Sequence, residues 1–380
     1  MSYTSIPSDV RFQIWLRAGG RCQFPGCNEP LWKDTLTLQK MNRSYLAHIV
    51  ADSPNGPRGE EHESDKLKDS LSNIMLLCGD HHRLIDGPNW RNYSVESLRA
   101  QKQEHEERIE RQTGLQPTMR TQIVLIGTRI GTRRGDGALN DDDAKTAVLP
   151  AHYPATDRAI QVDLSELELG EQDPGFWEVA KTHAERRLDP IVKGMDATGR
   201  PIVHLSIFGL ASIPILIYCG SIIRDFVTAD VYQRHRVPTT WDWQPFDNDG
   251  FDYKVIAPEA ADEACSVAIN LSLSGHIHQH EIDRALGEAL PTYLITIADP
   301  SVHYLHGQEQ LALFTKAWRL LLSRIRQHHG DKCEIHLFPA VPVSVAIEIG
   351  RAVLPKIDPA IHVYNLDKTT ATFQAVLTIA

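Results

Sequence analysis

A chain of 380 residues exceeds what one hydrophobic core usually holds, so two or more domains are expected. Hydrophobic residues make up 42% and charged residues 23%, and no apolar run approaches the roughly 20 residues of a membrane span, so a soluble protein with no membrane partner is expected. The net charge of -10 is uneven: residues 1–115 hold 15 Lys+Arg against 16 Asp+Glu and residues 116–380 hold 24 against 33, so neither part has the basic excess that by itself marks nucleic-acid binding.

The N-terminus, "MSYTSIPSDVRFQIW", lacks the basic-then-apolar layout of a secretory signal, which predicts a cytoplasmic protein with reduced cysteines. "DVRFQIWLRA" reads as a short amphipathic helix capped by Ser8. "GGRCQFPGC" then places Cys22 and Cys27 on a Gly/Pro knuckle, and Cys78 with His81 follows downstream. C-x4-C joined to C-x2-H supplies the four soft or borderline ligands of a tetrahedral structural zinc. Cys219, Cys265 and Cys333 sit apart in apolar surroundings and read as buried small hydrophobes.

Between the two pairs, "YLAHIV" puts His48 in a strand, and residues 53–70 form a polar loop in which Arg58 reads as a surface cation and His62 as exposed. "LSNIMLLC" puts Asn73 just before the second knuckle, and His82 starts the next helix. "NYSVESLRAQKQEHEERIERQ" opens on a good cap, Ser94, and reads as a long solvated helix.

In order, His48, Asn73 and His82 spell His, Asn, His, and residues 11 to about 90 resemble an HNH endonuclease, a ββα-metal nuclease stapled by structural zinc. The resemblance implies His48 as the general base, Asn73 as the residue that orients the His48 loop, and His82 as a ligand of the catalytic cation, Mg²⁺ or another divalent ion. Asp86, one helical turn beyond His82, is the candidate second ligand, and Asp52 a candidate third. Two positions depart from the commoner pattern: Ala47 stands where many relatives carry an acid or a second His, and His81 replaces the usual fourth zinc cysteine.

From Thr121 onward, β-rich runs such as "TQIVLIGTRIG", "RPIVHLSIFG", "ACSVAINLSLSG" and "CEIHLFPA" alternate with helical patterns, which argues for α/β layers with largely parallel sheets. Residues 131–150, polar and Gly/Asp-rich, read as a mobile loop. A repeat is present: "HLSIFGLASIPILIYCG" lies over "EIHLFPAVPVSVAIEIG" at an offset of 130, pairing Phe208 with Phe338, Ser212 with Pro342, Pro214 with Ser344 and Gly220 with Gly350. Each copy is strand, small-residue turn, helix start, the place where an α/β sheet offers N–H groups to an anion. Two facing copies make a pseudo-symmetric pocket suited to a cyclic oligonucleotide. Expected contacts are Ser212, Pro342 and Ser344 on the pocket floor, Trp241, Trp243 and Tyr304 as stacking aromatics, and Arg224 and Lys356 as phosphate partners. His276, His278 and His280 read as exposed polar positions.

"HLFPAVPVSVAIEIGRAVLPK", preceded by "ADPSVHYLHGQEQL", resembles the SAVED domain, a fusion of two CARF-like units that senses cyclic nucleotide messengers in bacterial defence. HNH followed by SAVED resembles the HNH-SAVED effectors of CBASS anti-phage systems. The fold expected is therefore an α+β zinc-stapled HNH domain over 1–115 and an α/β SAVED domain over 116–380, built from two CARF-like, Rossmann-like halves at about 116–265 and 266–380. The function implied is a nuclease that oligomerises on binding a cyclic di- or trinucleotide and degrades double-stranded DNA. The alternatives are a restriction-like HNH nuclease recognising modified DNA and a non-catalytic, zinc-stabilised binding protein.

Overall fold

The computed structural model describes residues 5–128, 130–131, 139–246, 250–259, 264–367 and 369–380. The chain divides into two compact units, Met1–Leu115 and Gln116–Ala380. No helix among the described residues is long and apolar enough to cross a membrane.

In the first unit, α1 (Ser8–Arg17) takes Pro7 rather than Ser8 as its cap, and no side chain bonds its first turn. Strands β1 (Ser44–His48) and β2 (Ile74–Cys78) pair antiparallel, with Ser44 opposite Cys78 and His48 opposite Ile74. β2 is buried along its whole length and runs straight into α2 (Gly79–Asp86), completing a ββα unit. Ile14, Leu31, Met75, Leu76, Leu77, Ile85 and Leu98 close its core. α3 (Val95–Thr113) starts at Ser94, whose hydroxyl accepts from Ser97 N. This helix is not solvated all round: Leu98, Lys102 and His105 are buried, and His105 Nε2 donates to Ala18 O at 3.0 Å at the end of α1.

Among its described residues the second unit holds two large sheets, besides two two-stranded pairings. In the first, β3 (Arg120–Gly127), β4 (Ile160–Asp163), β5 (His204–Leu210) and β6 (Thr228–Tyr232) are all parallel, with β4 and β5 flanking β3 and β6 beyond β5. Helices α4 (Asp141–Ala147), α5 (Phe176–Val192) and α6 (Ile213–Ile223) connect them. α4 occupies part of the segment expected to be a loop, and residues 132–138 of that segment lie outside the described residues.

The second sheet contains β7 (Lys254–Ile256), β8 (Ser266–Ser272), β9 (Thr292–Thr296), β10 (Glu334–Ala340), β11 (Ile361–Asp367) and β12 (Thr372–Ile379), in the order β7-β9-β8-β10-β11-β12. Its inner strands are parallel and its two edges antiparallel. Helices α7 (Gln279–Leu286), α8 (Gln308–His329) and α9 (Val343–Arg351) belong to this half. Because β7 pairs with β9, the second sheet takes in a strand that precedes residue 266. Cys219 and Cys333 are buried, whereas Cys265, just ahead of β8, is exposed.

The repeat appears as β5-α6-β6 and β10-α9-β11, and its two helices pack on each other at their glycines. A Cβ on Gly350 would stand 1.9 Å from Ile217 O and 2.6 Å from Ser221 N, and one on Gly220 would stand 2.2 Å from Ile347 O and 3.1 Å from Arg351 N. Neither glycine has positive φ, so the requirement is for space and not for backbone freedom. Gly350→Ala is expected to lower the stability of the second unit by about 3 kcal/mol, the upper end for an overpacked core, because the obstacle is main chain that cannot rotate away. Urea unfolding followed by circular dichroism measures it, and a loss under about 1 kcal/mol would mean the helices separate at little cost.

Candidate functional site

Cys22, Cys27, Cys78 and His81 converge in the first unit, with one donor atom from each within 4.8 Å of the others. The first pair comes from the knuckle, where Gly26 turns at φ +78°, and the second from the junction of β2 and α2. His81 directs Nδ1 at the sulfurs, 3.1 Å from Cys78 Sγ and 3.7 Å from Cys22 Sγ, with its ring stacked on Phe24. Burial pushes the Cys22 thiol up to about 12 and raises Cys27 too. Thiolates this close ionise together only with a cation between them, and three sulfurs plus an imidazole suit a tetrahedral zinc-type ion.

His48 ends β1, buried, with Nε2 2.6 Å from Lys68 O. A carbonyl only accepts, so Nε2 carries a proton and is the donor in this contact. Asn73 is fully buried and holds the chain just beyond His48: its Nδ2 donates to Val50 O at 2.8 Å and Leu67 O at 3.1 Å, and its Oδ1 accepts from Val50 N at 2.8 Å. His82, on α2, stacks on Tyr45 and brings Nε2 to 3.4 Å from Asp86 Oδ2. Burial lowers the His82 pKa while Asp86 pulls it back up. Asp52 is half-buried in the segment after β1.

Arg58 is not the surface cation that its loop suggested. It is 8% exposed, sits at φ +57°, and donates to four acceptors: Ile49 O at 2.6 Å, Ile85 O at 2.7 Å, His48 O at 3.3 Å and Asp86 Oδ1 at 2.6 Å. It therefore ties the end of β1 to the end of α2, the two elements that carry His48 and His82. Nothing in a polar, Gly/Pro-rich stretch signals this, since the partners are main-chain carbonyls distant in sequence.

In the second unit a cavity of about 260 Å³ lies beyond the end of β6, lined by Gln233, Arg234, His235, Arg236, His303 and His306 among others. His235 is 8% exposed, and its Nε2 is buried with no hydrogen-bond partner. Burial, with His306 adding to it, holds its pKa below the usual range. Gln233 Oε1 accepts from Ser344 Oγ at 2.8 Å and from Ser344 N at 3.4 Å, so a side chain of the first half caps α9 of the second. None of these pocket residues was singled out from the sequence.

The expected ligand contacts fare unevenly. Ser344 is fully buried and committed to Gln233, and Pro342 is buried as the cap of α9. Trp241 is packed edge-on against Phe208 with Arg234 over its ring, and Tyr304 is buried with its hydroxyl on that of Tyr253, so both are filled by protein and neither is free to stack on a base. Trp243 is half-buried with an edge contact to His235. Ser212 caps α6, and its buried hydroxyl has no hydrogen-bond partner. Arg224 folds back on Ser221 O at 3.0 Å, and Lys356 is exposed.

The SAVED family, described as a SMODS-associated and fused to various effectors sensor domain, matches residues 184–379. No curated protein matches. Among solved structures the chain is similar to the Acinetobacter baumannii Cap4 SAVED/CARF-domain containing receptor with the cyclic trinucleotide 2'3'3'-cAAA, at 13% identity and TM-score 0.45, covering 84% of this chain and 66% of that one. It is also similar to the Moraxella osloensis Cap4 SAVED/CARF-domain containing receptor, at 12% identity and TM-score 0.42, covering 84% and 71%. The chain thus spans about two thirds of the length of the solved structures it matches.

Arg58→Ala is expected to cost the first unit about 3 kcal/mol, because three main-chain carbonyls and Asp86 lose their donor together. Arg58→Lys, a point charge with no planar fork, should recover less than half of that. Denaturation curves of the two variants against the parent measure both, and a loss below about 0.5 kcal/mol would dismiss the clamp.

Proposed function

The chain belongs to the SAVED family, and from that premise we propose that residues 116–380 receive a cyclic di- or trinucleotide and that residues 1–115 answer by hydrolysing double-stranded DNA, as a cytoplasmic effector of CBASS anti-phage defence. The observation that carries the nuclease half is the contact of His48 Nε2 with Lys68 O on a ββα scaffold, which in the neutral imidazole leaves Nδ1 as the acceptor. His48 Nδ1 takes the proton of the attacking water. Asn73 and Arg58 keep that imidazole in place through the main chain of His48 and the two residues that follow it. A divalent cation such as Mg²⁺ would be held by His82 and Asp86, 3.4 Å apart, with Asp52 as a candidate further ligand, and would supply charge neutralisation at the phosphate when bound. Zinc at Cys22, Cys27, Cys78 and His81 is the staple of the domain and takes no part in the chemistry.

The sensing half is supported by the family, a sensor fused to effectors, and by the cavity around His235. Arg234, Arg236 and the histidines there suit a phosphodiester, and the partnerless Nε2 of His235 suits a polar group of the ligand. Ligand binding promotes homo-oligomers and releases the nuclease. The restriction-like alternative is disfavoured by the acidic character of residues 116–380, which repels DNA phosphates.

Plasmid cleavage in Mg²⁺ with a panel of cyclic di- and trinucleotides tests the reading. Activity should appear with one nucleotide, fall at least about a thousandfold in His48→Ala at unchanged circular dichroism, and need at least tenfold more activator in His235→Ala at the same maximal rate. Equal cleavage without nucleotide would overturn gating, and full activity in His48→Ala would overturn the assignment of the base.

A further inference from the structure

The second unit carries a separate cluster, far in character from the ligand pocket. His152, His204 and Asp230 each offer one donor atom, and the three atoms lie within 4.8 Å of one another. His204 is the first residue of β5 and Asp230 is the centre of β6, the neighbouring parallel strand, while His152 immediately precedes the short Tyr153–Pro154 strand that pairs with the start of β3. Their side chains are 11%, 27% and 19% exposed.

We propose that His152 Nδ1, His204 Nε2 and Asp230 Oδ2 form a binding site for a first-row divalent cation of the zinc type. Both nitrogens face the same oxygen, at 3.6 Å from His152 Nδ1 and 3.7 Å from His204 Nε2. Those separations are too long for hydrogen bonds. They are close to the ligand-to-ligand edge of roughly 3.4 Å expected around a tetrahedral ion with bonds of about 2.0–2.2 Å. His152 Nδ1 is buried and makes no hydrogen bond, so this donor is held in place without a protein partner.

The outer contacts are those a metal ligand needs. His204 Nδ1 is bonded to Thr121 Oγ1 at 2.9 Å, which in turn meets Ser206 Oγ at 2.9 Å, and this leaves Nε2 directed at Asp230. Asp230 Oδ1 accepts from Gln308 Nε2 at 3.1 Å, leaving Oδ2 for the ion. The Arg351 charge acts on His204, and it is paired with Glu348 at 3.1 Å. The two rings stack at 3.9 Å with 11° between planes, and lone pairs in nearly parallel planes do not meet at one point, so a bound ion requires one ring to turn out of the stack. Two imidazoles and one carboxylate leave a fourth position for water. An ion there would join the segment before Tyr153 to β5 and β6 of the first sheet, and through Gln308 to the start of α8 in the second half.

The test is metal content of the full-length protein after equilibration with Zn²⁺ and removal of free ion. The parent should hold one equivalent more than His152→Ala, and the affinity of that equivalent should fall at least a hundredfold in the variant. The cysteine cluster is common to both proteins and cancels in the comparison. Circular dichroism in chelator confirms that the variant folds. A second reading uses Co²⁺ on both proteins: the parent should show visible bands free of sulfur charge transfer that His152→Ala lacks, any ion at His82 being common to the two. Equal zinc content in the two proteins, or Co²⁺ spectra that do not differ between them, overturns the proposal.

Discussion

The second unit depends on two helices meeting with no side chain between them. Ile217 O faces Gly350 and Ile347 O faces Gly220, and a shift of 130 residues turns one contact into the other. Any larger residue at either glycine meets main chain, so the close approach is a condition of the fold and not a refinement of packing. α6 is apolar nearly all round, buried from Pro214 to Gly220, as a helix must be when it is covered on every side. The large side chains that fill the remaining space, Phe314 and Trp318 on α8, then pack around this pair, and Trp318 Nε1 donates to Ile349 O beside the crossing.

The first unit is held by different means. Its apolar core is small, and small cores need supplementary ties. Those ties are polar and buried: Asn73 with three bonds to the segments around it, Arg58 with four, and Gln23, whose Oε1 accepts from Leu76 N at 2.7 Å at the edge of β2. A buried polar group that is fully satisfied specifies one geometry far more narrowly than an apolar contact does. The result is that His48 and His82 are positioned by hydrogen bonds to main chain, which cannot slide past one another as side chains can.

Residues whose partners are near in sequence, or whose spacing has a chemical reason, were legible in advance. The two Cys/His pairs, the His48 strand, Asn73 before β2 and the Ser94 cap were of this kind, and so was the repeat, because its glycines recur at a fixed interval. What escaped was set by tertiary partners. Arg58 and Gln233 look like ordinary polar loop residues until the carbonyls and hydroxyl they serve are brought to them. Trp241 and Tyr304 look like stacking platforms until the fold buries both, Trp241 edge-on against Phe208 and Tyr304 with its hydroxyl on that of Tyr253. The strand Lys254–Ile256 is too short to announce itself, and only its pairing with β9 assigns it to the second sheet.

The symmetry that the repeat suggests holds at the helix crossing and fails at the turns. In the second half the first turn of α9 presents Ser344, whose N–H and hydroxyl are both taken up by Gln233. The equivalent place in the first half is Pro214, which has no N–H to offer, and the cap before it, Ser212, keeps a buried hydroxyl without a partner. The scaffold is thus two-fold while the groups displayed on it are not. Packing constrains the glycines to be alike because each is an obstacle for the other half; the turns, at the other end of each helix, are buried among different neighbours and diverge. For that reason a contact found on one half cannot be transferred to its mate by the offset of 130, and the chemistry of each turn has to be derived from its own neighbours.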